Sequence, residues 1–241
     1  TASGPLSFME IFDFTIGDII QQGGTREGAN MGVLRVDHPD IERFVVAKTM
    51  EGTLKNFNLS VGITDAFMNA VKNDEDYDLV FAGKVYKTVS ASKIWVTIID
   101  GAWKNGEPGI VFLDTINRNN PLHPMGEIEA TNPCGEQPLL PYCSCNLGSI
   151  NLSRMILGDW VEGAAEVDWE KLRKTVKTAV QFLDSVISVN NYPISEIEDM
   201  TLKTRQIGLG IMGFADMCIK LHIRYGSLHG SGQRKRCCPG L

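Results

Sequence analysis

Short apolar strands alternate with amphipathic helices along this chain of 241 residues. Residues 31–36, 57–63 and 110–114 are short, apolar and bounded by turn residues, a pattern that indicates buried strands. Helical periodicity appears over residues 90–104, and the longest predicted helix begins after a capping aspartate, Asp168. Strands joined by helices of this length pair in parallel through right-handed crossovers. The pattern therefore predicts an α/β fold.

The predicted helices carry apolar stripes that we interpret as core. The members of three such stripes are Phe8, Phe12, Ile16, Ile19 and Ile20; Trp95, Ile98, Ile99 and Trp103; and Leu172, Val176, Val180, Leu183 and Ile187. Between the first two stripes, Thr64 is predicted to cap a short helix. Residues 77–81 fit either a strand or one arm of a hairpin.

Composition and charge are those of an ordinary globular protein. Hydrophobic residues make up 43% and charged residues 22%, and the net charge of −6 argues against non-specific nucleic-acid binding, which needs a basic surface. The sequence has no apolar run long enough for a membrane span and no signal-peptide pattern, so we expect no membrane association and a cytoplasmic location. The six cysteines are not spaced as in a secreted disulfide framework, which favours redox, catalytic or metal-binding roles.

The most informative local motif is Asn132-x-Cys134-x-Glu136. Pro133 and Gly135 separate its three reactive groups, which predicts a rigid, exposed turn rather than a helix. Residues two apart in extended backbone point to the same side, so the three side chains are predicted to converge on one small ligand. A neighbouring carboxylate disfavours the thiolate that an ordinary cysteine nucleophile needs. A thiol kept protonated suits hydrogen-atom chemistry, in which the carboxylate handles protons separately.

Other interpretations of the cysteines and glycines are open at this level. An isolated cysteine is most often a small, inert hydrophobic residue. Cys143 and Cys145 could form half of a metal site, but further ligands at metal spacing are missing, and we predict no metal. The GxGxxG pattern at Gly208, Gly210 and Gly213 lacks the preceding apolar strand of a dinucleotide fingerprint. Close backbone packing is the better interpretation of these glycines.

The segment NPCGEQPLLPY, followed by SCNLGSINL, resembles the active-site segment of the ribonucleotide reductase catalytic subunit, and most of all its adenosylcobalamin-dependent (class II) form. Further segments resemble the same family in the same order, namely residues 2–13, 21–45, 56–68, 107–121 and 205–217. The resemblance implies an α/β fold that is part of a ten-stranded α/β barrel with a central finger loop carrying the active cysteine. Residues 1–226 would be an internal fragment of that barrel domain. Residues 227–241 do not resemble the family and are predicted to be an aberrant tail, frameshifted or disordered.

The resemblance also implies roles for the thiol motif. Cys134 matches the radical thiol that takes the 3′ hydrogen of a bound ribonucleotide. Glu136 matches the carboxylate that accepts the 3′-hydroxyl proton, and Asn132 the amide that hydrogen-bonds the sugar. Cys145 matches one of two cysteines that reduce the sugar and become a disulfide, and its partner would precede residue 1. Cys143 stands where the family usually has glutamate; an inert substitution is favoured over a non-productive disulfide with Cys145.

A glycine-rich stretch, residues 21–32, would be interpreted from composition alone as a helix end followed by a turn. By resemblance it is the specificity loop that relays the identity of a bound effector to the substrate base. The residues assigned to this effector loop are Gly23, Gly24, Thr25, Arg26 and Gly28.

The function implied by the resemblance is reduction of ribonucleotides to 2′-deoxyribonucleotides for DNA synthesis, through a thiyl radical. It implies adenosylcobalamin as cofactor, dNTP or ATP effectors, a thioredoxin-like reductant and a homodimer. The chain alone is expected to be inactive, because the partner of Cys145 is absent. Two alternatives stay open: a class I large subunit activated by a separate radical-generating subunit, and a non-catalytic nucleotide-binding relative. The sequence also leaves open whether the substrates are diphosphates or triphosphates.

Overall fold

The computed structural model describes residues 3–20, 28–50 and 52–227. The chain divides into two compact units, Thr1–Pro141 and Tyr142–Leu241. Both units combine helices with strands, so the predicted α/β class is confirmed.

The first unit is built around a three-stranded parallel sheet. Its elements are α1 (Pro5–Phe14), which continues into a π-helical turn (Thr15–Ile20), β1 (Asn30–Arg35), α2 (Ile41–Val45), β2 (Phe57–Ile63), α3 (Asp65–Asn73), β3 (Asp76–Phe81), β4 (Lys84–Ser90), α4 (Ala91–Asn105), β5 (Gly109–Phe112), α5 (Leu113–Arg118), a 3₁₀ turn (His123–Met125), β6 (Ala130–Thr131) and β7 (Pro138–Leu139). The sheet order is β1-β2-β5, with Asn30 opposite Phe57 and Ser60 opposite Gly109. Because helices connect these strands in sequence, the parallel pairing follows the predicted βαβ pattern.

The core of the first unit draws on the sheet and on α2, α3 and α4. Thr64 caps α3 as predicted: its Oγ1 accepts a hydrogen bond of 3.2 Å from the backbone N–H of Phe67. The Phe67 ring is fully buried and meets Tyr77 edge-on, with ring centres 5.2 Å apart. Burying a side chain of this size contributes about 1.5–3 kcal/mol. The other buried members of this core include Val36, Ile41, Phe44, Val45, Leu59, Val61, Ile63, Leu79, Ala91, Ile94 and Ile98.

Residues 76–81 form one arm of a hairpin, which decides between the two interpretations of this segment. β3 pairs antiparallel with β4, and Ala82-Gly83 connects them. Both connecting residues have positive φ, +49° and +75°, as in the type I′ turns that suit the twist of a hairpin. The hairpin is a two-stranded sheet of its own, and β3 is not part of the parallel sheet β1-β2-β5.

The second unit contains a parallel strand pair and the longest helix. Its elements are β8 (Asn146–Asn151), a 3₁₀ turn (Leu152–Arg154), β9 (Ile156–Leu157), β10 (Glu166–Val167), α6 (Trp169–Val189), α7 (Ser195–Thr204), β11 (Ile207–Met212) and α8 (Phe214–Lys220). β8 and β11 run parallel, with Asn146 opposite Ile207. Asp168 caps α6 as predicted, because its Oδ1 accepts a hydrogen bond of 2.8 Å from Lys171 N. The buried cluster of this unit is Ile150, Leu152, Met155, Val167, Leu172 and Met217.

The three glycines of the GxGxxG pattern lie in and directly after β11 of the second unit. Gly208 and Gly210 lie within β11 itself, whereas a dinucleotide fingerprint begins after its strand. Gly213 has φ of +68°, and a Cβ there would lie 2.4 Å from Asn151 Oδ1. The close-packing interpretation is therefore confirmed at Gly213.

Several helix faces predicted as core are exposed. Phe8 and Phe12 of α1 are exposed, and no residue of that helix is buried. Trp103 of α4 is 87% exposed, so the prediction that it is a core residue is wrong. Periodicity identifies the residues that share a helix face, but it does not show whether another element covers that face. The other exposed members of these stripes are Ile19, Ile99, Val176 and Val180.

The residues that the structure describes form one three-stranded sheet and four two-stranded sheets, and none of these sheets closes into a barrel. Within the same residues, no helix combines the length and the apolar character needed to cross a membrane.

Candidate active site

The Asn132–Gln137 segment is a tight turn between β6 and β7. Three hydrogen bonds close it: Gly135 N donates to Asn132 O at 2.9 Å, Asn132 N to Gln137 O at 3.2 Å, and Gln137 N to Asn132 Oδ1 at 2.9 Å. Gly135 has φ of +83°, in the left-handed region that glycine occupies without a steric penalty. The prediction of a turn at this motif is confirmed.

The side chains of this turn are not arranged by strand alternation. Residues 133–135 bend the chain within the hydrogen-bonded turn, so the prediction that Asn132, Cys134 and Glu136 follow one another along extended backbone is wrong. The Asn132 amide oxygen accepts the bond from Gln137 N, which leaves the NH₂ side of the amide as the donor for a ligand. Cys134 and Glu136 are both exposed, so their reactive groups can meet another molecule.

Cys134 lines a groove on the parallel sheet of the first unit. The groove encloses about 470 Å³, a volume typical of small-molecule sites. Its walls include apolar residues, Met31 of β1 and Ile110 of β5, and polar residues, Asn58 and Ser60 of β2. The thiol therefore lies beside a space that a ligand of nucleoside size can enter.

Asn58 joins the sheet to the thiol turn. Its Nδ2 donates a hydrogen bond of 2.5 Å to the carbonyl oxygen of Pro133, the residue before Cys134. The two partners are 75 positions apart in sequence. Sequence reasoning missed this residue, and no local signal could have found it, because only the folded sheet brings Asn58 to the turn.

A half-buried ion pair holds the start of β2, next to Asn58. Lys48 Nζ lies 2.6 Å from Glu107 Oε1 and donates a hydrogen bond of 2.5 Å to Phe57 O. The other oxygen of Glu107 accepts from Leu59 N at 3.0 Å. The backbone on both sides of Asn58 is therefore fixed by one pair of charges.

A second cavity of the first unit, of about 490 Å³, lies where β1 and β5 end. Arg35 and Asp37 line it and form an ion pair of 2.8 Å. The hydrogen bond that Arg35 donates to Asp37 raises the pKa of Arg35, although burial acts in the opposite direction. The described residues that line this cavity include no cysteine, so the groove beside Cys134 is the better candidate for thiol chemistry.

The second thiol segment, residues 143–145, lies in the second unit and is held by α7. Cys143 Sγ lies 3.6 Å from Thr204 Oγ1. Ser144 Oγ lies 2.8 Å from Thr201 Oγ1, in a hydrogen bond that either hydroxyl can donate. Both cysteines of the segment are half-buried. Hydroxyl contacts with successive turns of one helix thus fix the segment.

Cys145 lies directly before β8. Its thiol donates to the carbonyl oxygen of Asn146 at 3.5 Å, and it lines a small cavity of about 240 Å³ that also touches Tyr192. Across residues 3–20, 28–50 and 52–227, no three His, Cys, Asp or Glu side chains are grouped so that they could hold a metal ion.

Four of the five residues assigned to the effector loop, Gly23, Gly24, Thr25 and Arg26, lie outside the described residues. The fifth, Gly28, is exposed and precedes β1. The segment 228–241, which makes up nearly all of the predicted tail, also lies outside them.

The first unit is an α/β domain whose candidate site is an exposed thiol on a turn beside a parallel sheet. The family model described as "Ribonucleotide reductase, barrel domain" matches residues 1–237. The chain therefore belongs to the ribonucleotide reductase family, and the resemblance found in its motifs is confirmed.

Curated relatives are similar over nearly the whole chain. A "Vitamin B12-dependent ribonucleoside-diphosphate reductase" of Thermoplasma acidophilum is 56% identical over 229 residues, which cover 94% of this chain and 29% of the relative. A protein of the same name from Mycobacterium tuberculosis is 49% identical, covering 94% of this chain and 32% of the relative. A "Ribonucleoside-diphosphate reductase subunit alpha" of Chlamydia trachomatis is 30% identical, with 94% and 24% covered. The chain thus spans less than a third of the length of these relatives.

Proposed function

We propose that this chain supplies part of a ribonucleoside-diphosphate reductase, which converts ribonucleotides to 2′-deoxyribonucleotides through a radical on Cys134. The observation that carries the proposal is the exposed thiol of Cys134, fixed on a closed turn beside a groove of about 470 Å³. Membership of the ribonucleotide reductase family and the names of the relatives support the same activity. Those names also favour diphosphates over triphosphates as substrates.

Three residues of the turn act on the sugar. Cys134, as a thiyl radical, takes the 3′ hydrogen of the ribose and becomes a thiol. Glu136 accepts the proton of the 3′ hydroxyl, and the NH₂ group of Asn132 donates a hydrogen bond to the sugar. The exposure of Cys134 and Glu136, and the engagement of the Asn132 oxygen within the turn, support these roles. Reaction requires the sulfur within about 3.5 Å of the reacting carbon, a geometry that a fixed turn maintains.

Cys145 supplies electrons for the reduction. It and a second cysteine outside this chain are oxidised from two thiols to one disulfide as the sugar is reduced, and a thioredoxin-like reductant restores them. The half-buried position of Cys145 directly before β8 supports a fixed role in this exchange. Cys143 acts as an inert neighbour. Its contact, Thr204, lies one turn of α7 after Thr201, the residue that Ser144 contacts.

Adenosylcobalamin is the cofactor that the proposal requires. When bound, this group supplies the initial radical by homolysis of its cobalt–carbon bond. The chain offers a thiol that would suit such a source, because Cys134 is exposed and lines the groove. The names of the Thermoplasma and Mycobacterium relatives, which include dependence on vitamin B12, support this choice.

The chain is further proposed to be part of a ten-stranded barrel, in which the Cys134 turn is the finger loop. The two parallel arrangements, β1-β2-β5 and β8-β11, support this assignment. Residues 1–226 would belong to the barrel domain and 227–241 would be an aberrant tail. A homodimer, dNTP or ATP effectors bound through the loop at residues 23–28, and a cytoplasmic location complete the proposal.

A class I large subunit is the second candidate, because the Chlamydia relative is named as one subunit, alpha, of its reductase. Its radical would come from a separate subunit. If spectroscopy detects binding of adenosylcobalamin to a complete enzyme that carries this segment, the result supports class II. Absence of binding, together with activation by a second subunit, would support class I.

The test uses a grafted reductase, in which residues 2–226 of this chain replace the matching segment of the Thermoplasma acidophilum relative. We expect the grafted reductase to form deoxyribonucleotides and Cys134→Ser to abolish this activity. Because Cys134 is exposed on a turn, the serine variant should keep its folding and its thermal stability. Turnover that survives Cys134→Ser would eliminate the radical role, and it would leave a non-catalytic or differently catalytic relative as the better interpretation.

A further inference from the structure

We propose that Asn58 is a positioning residue, which sets the orientation of Cys134 by holding the peptide group that precedes it. The inference rests on the proposed function, since it assigns a residue that positions the reactive thiol. Asn58 does not act on substrate in this proposal.

The contact acts on the backbone of Cys134 itself. Asn58 Nδ2 donates to Pro133 O over 2.5 Å. The peptide group is planar, so fixing that oxygen also fixes the nitrogen of Cys134 in the same plane. The plane on the other side of Cys134 is fixed as well, because Gly135 N donates to Asn132 O at 2.9 Å. Both soft dihedrals of Cys134 are therefore determined by hydrogen bonds.

The two hydrogen bonds connect the peptide groups of Cys134 to different parts of the structure. The bond from Gly135 lies within the turn and keeps the turn closed. The bond from Asn58 comes from β2, across 75 positions of sequence, and joins the turn to the sheet that walls the groove. Loss of the first would open the turn directly, whereas loss of the second would detach the turn from the sheet, so that the turn moves relative to the groove and its own hydrogen bonds open more often.

The position of Asn58 in β2 points to the same role. It is the one exposed residue of this strand, and the other six residues from Phe57 to Ile63 are buried. An asparagine at the groove face contributes nothing to the core, so its hydrogen bond to the turn is the interaction that the structure gives it. The NH₂ group of the Asn58 amide is a hydrogen-bond donor, and the carbonyl oxygen of Pro133 is an acceptor, so the two groups are complementary.

The donor is itself held rigid by the ion pair of Lys48 and Glu107. Lys48 binds the carbonyl oxygen before Asn58 and Glu107 binds the N–H after it, at 2.5 Å and 3.0 Å. Both charged side chains are about one-fifth exposed, 18% and 21%, so water screens them less than a surface pair. The strand start cannot shift without breaking these bonds, and Asn58 therefore transmits a fixed position to the turn.

The experiment measures kcat and KM of the grafted reductase with Asn58→Ala, Asn58→Asp and Asn58→Gln. A misplacement on the order of 1 Å costs about 100-fold in rate, so we expect Asn58→Ala to lower kcat by about 10- to 100-fold while KM changes by less than about 2-fold. Asn58→Asp, which keeps the size but has no donor, should match the alanine variant. Asn58→Gln keeps the donor and should recover part of the lost rate.

Hydrogen exchange provides a readout that does not depend on activity. In Asn58→Ala, the hydrogen-bonded amides of Asn132, Gly135 and Gln137 should exchange faster by several-fold, on the order of the loss of one hydrogen bond. Asn73→Ala is the matched control, since Asn73 is an exposed asparagine at the end of α3 whose Nδ2 donates a hydrogen bond of 3.4 Å to Glu75 Oε1, a residue outside the turn. It should leave kcat and the exchange of the turn unchanged.

The outcomes separate this inference from the proposed function. A grafted reductase that makes no deoxyribonucleotide contradicts the proposed function, while the exchange data still decide whether Asn58 holds the turn. An active graft in which Asn58→Ala keeps its kcat and its slow exchange overturns the inference alone. A rise in KM with kcat unchanged also overturns it, because Asn58 would then bind substrate. If the alanine variant fails to fold, the aspartate and glutamine variants make the same comparison.

Discussion

The two thiol segments of this chain are held in different ways. The turn around Cys134, residues 132–137, is closed by its own backbone and leaves its thiol exposed. The segment around Cys143 and Cys145 has no such closure; side-chain hydroxyls of α7 hold it, and its thiols are half-buried. One segment presents sulfur to an incoming molecule, and the other keeps sulfur in a fixed protein environment.

The difference matches two kinds of sulfur chemistry. Hydrogen-atom transfer needs the sulfur to approach a carbon of another molecule, so exposure on a rigid turn is an advantage. Formation of a disulfide needs a fixed distance to a second sulfur, because its geometry is narrow, and packing against a helix provides that constraint. We therefore infer that backbone closure and side-chain packing are matched to the two proposed roles.

The largest effect should separate the two cysteines of the second segment. In the grafted reductase, Cys145→Ser should reduce turnover supported by a dithiol by roughly 100-fold or more, because one of the two reducing thiols is lost. Cys143→Ser should stay within about 3-fold, since an inert neighbour takes no part in the reaction. Steady-state deoxyribonucleotide formation measures both. Equal losses in the two variants would show that Cys143 has a redox role.

Alkylation of the chain should follow the exposure of its thiols. Cys134 should react with iodoacetamide at least about 30-fold faster than Cys218, which corresponds to roughly 2 kcal/mol of local opening. Cys218 is only 1% exposed, and burial raises the pKa of its thiol, so less of the reactive thiolate is present. Peptide mass spectrometry measures the two rates, with a sample in denaturant as the control for intrinsic reactivity. Equal rates in the folded chain would contradict the exposed turn.

The hydroxyl pair of the second segment should contribute to stability. Ser144→Ala leaves the buried hydroxyl of Thr201 without its partner, and we expect the free energy of unfolding to fall by about 1–2 kcal/mol. Thr201→Val in addition should cost less than the sum of the single changes, because both partners are then removed. Urea denaturation of the wild type, the two single variants and the double variant measures these free energies of unfolding. Ser92→Ala is the control: its exposed hydroxyl bonds to Asp74, and the change should stay within about 0.5 kcal/mol.

The smallest expected effect is a pH dependence of the stability that the ion pair between Arg205 and Asp184 contributes. Arg205, at the end of α7, donates a hydrogen bond of 2.8 Å to Asp184 of α6, and this bond lowers the pKa of Asp184 from its ordinary value of 3.8. A carboxyl group whose pKa is lowered by folding stabilises the fold above its unfolded value. That contribution is lost as the pH falls below 3.8 and through the lowered folded value. Asp184→Asn should therefore be less stable than the wild type at neutral pH and equal to it in strong acid.

Denaturation curves at several pH values measure the Asp184 effect. The protection factors of the Asn132, Gly135 and Gln137 amides, which correct for the intrinsic pH dependence of exchange, serve as the control. Uncharged groups close the turn, so its opening should not follow this titration. A constant difference between wild type and variant at all pH values would contradict the ion pair as its cause.

Much of the fold was predictable from local pattern. β2 has the predicted bounds, and the caps at Thr64 and Asp168 form the predicted hydrogen bonds. These features depend on residues close in sequence, such as a hydroxyl three positions before an N–H. The exposure of Trp103 was not predictable, because it depends on which surfaces other elements cover.

The candidate site was predictable in its chemistry and not in its geometry. Asn132, Cys134 and Glu136 were identified by residue type and resemblance, and the turn by Pro133 and Gly135. The side chains do not alternate as in a strand, because the hydrogen bond from Gly135 N to Asn132 O closes a turn where extended backbone was expected.

The sequence by itself determined the alternation of strands and helices, the positions of caps and turns, and the identity of the reactive groups. These properties follow from periodicity, backbone preferences and side-chain chemistry within a few residues. The tertiary structure alone decided that Asn58 meets Pro133 and that Lys48 meets Glu107, across 75 and 59 positions. Such contacts arise because parallel pairing brings distant segments side by side, and the order of strands in a sheet is fixed by the packing of the whole unit.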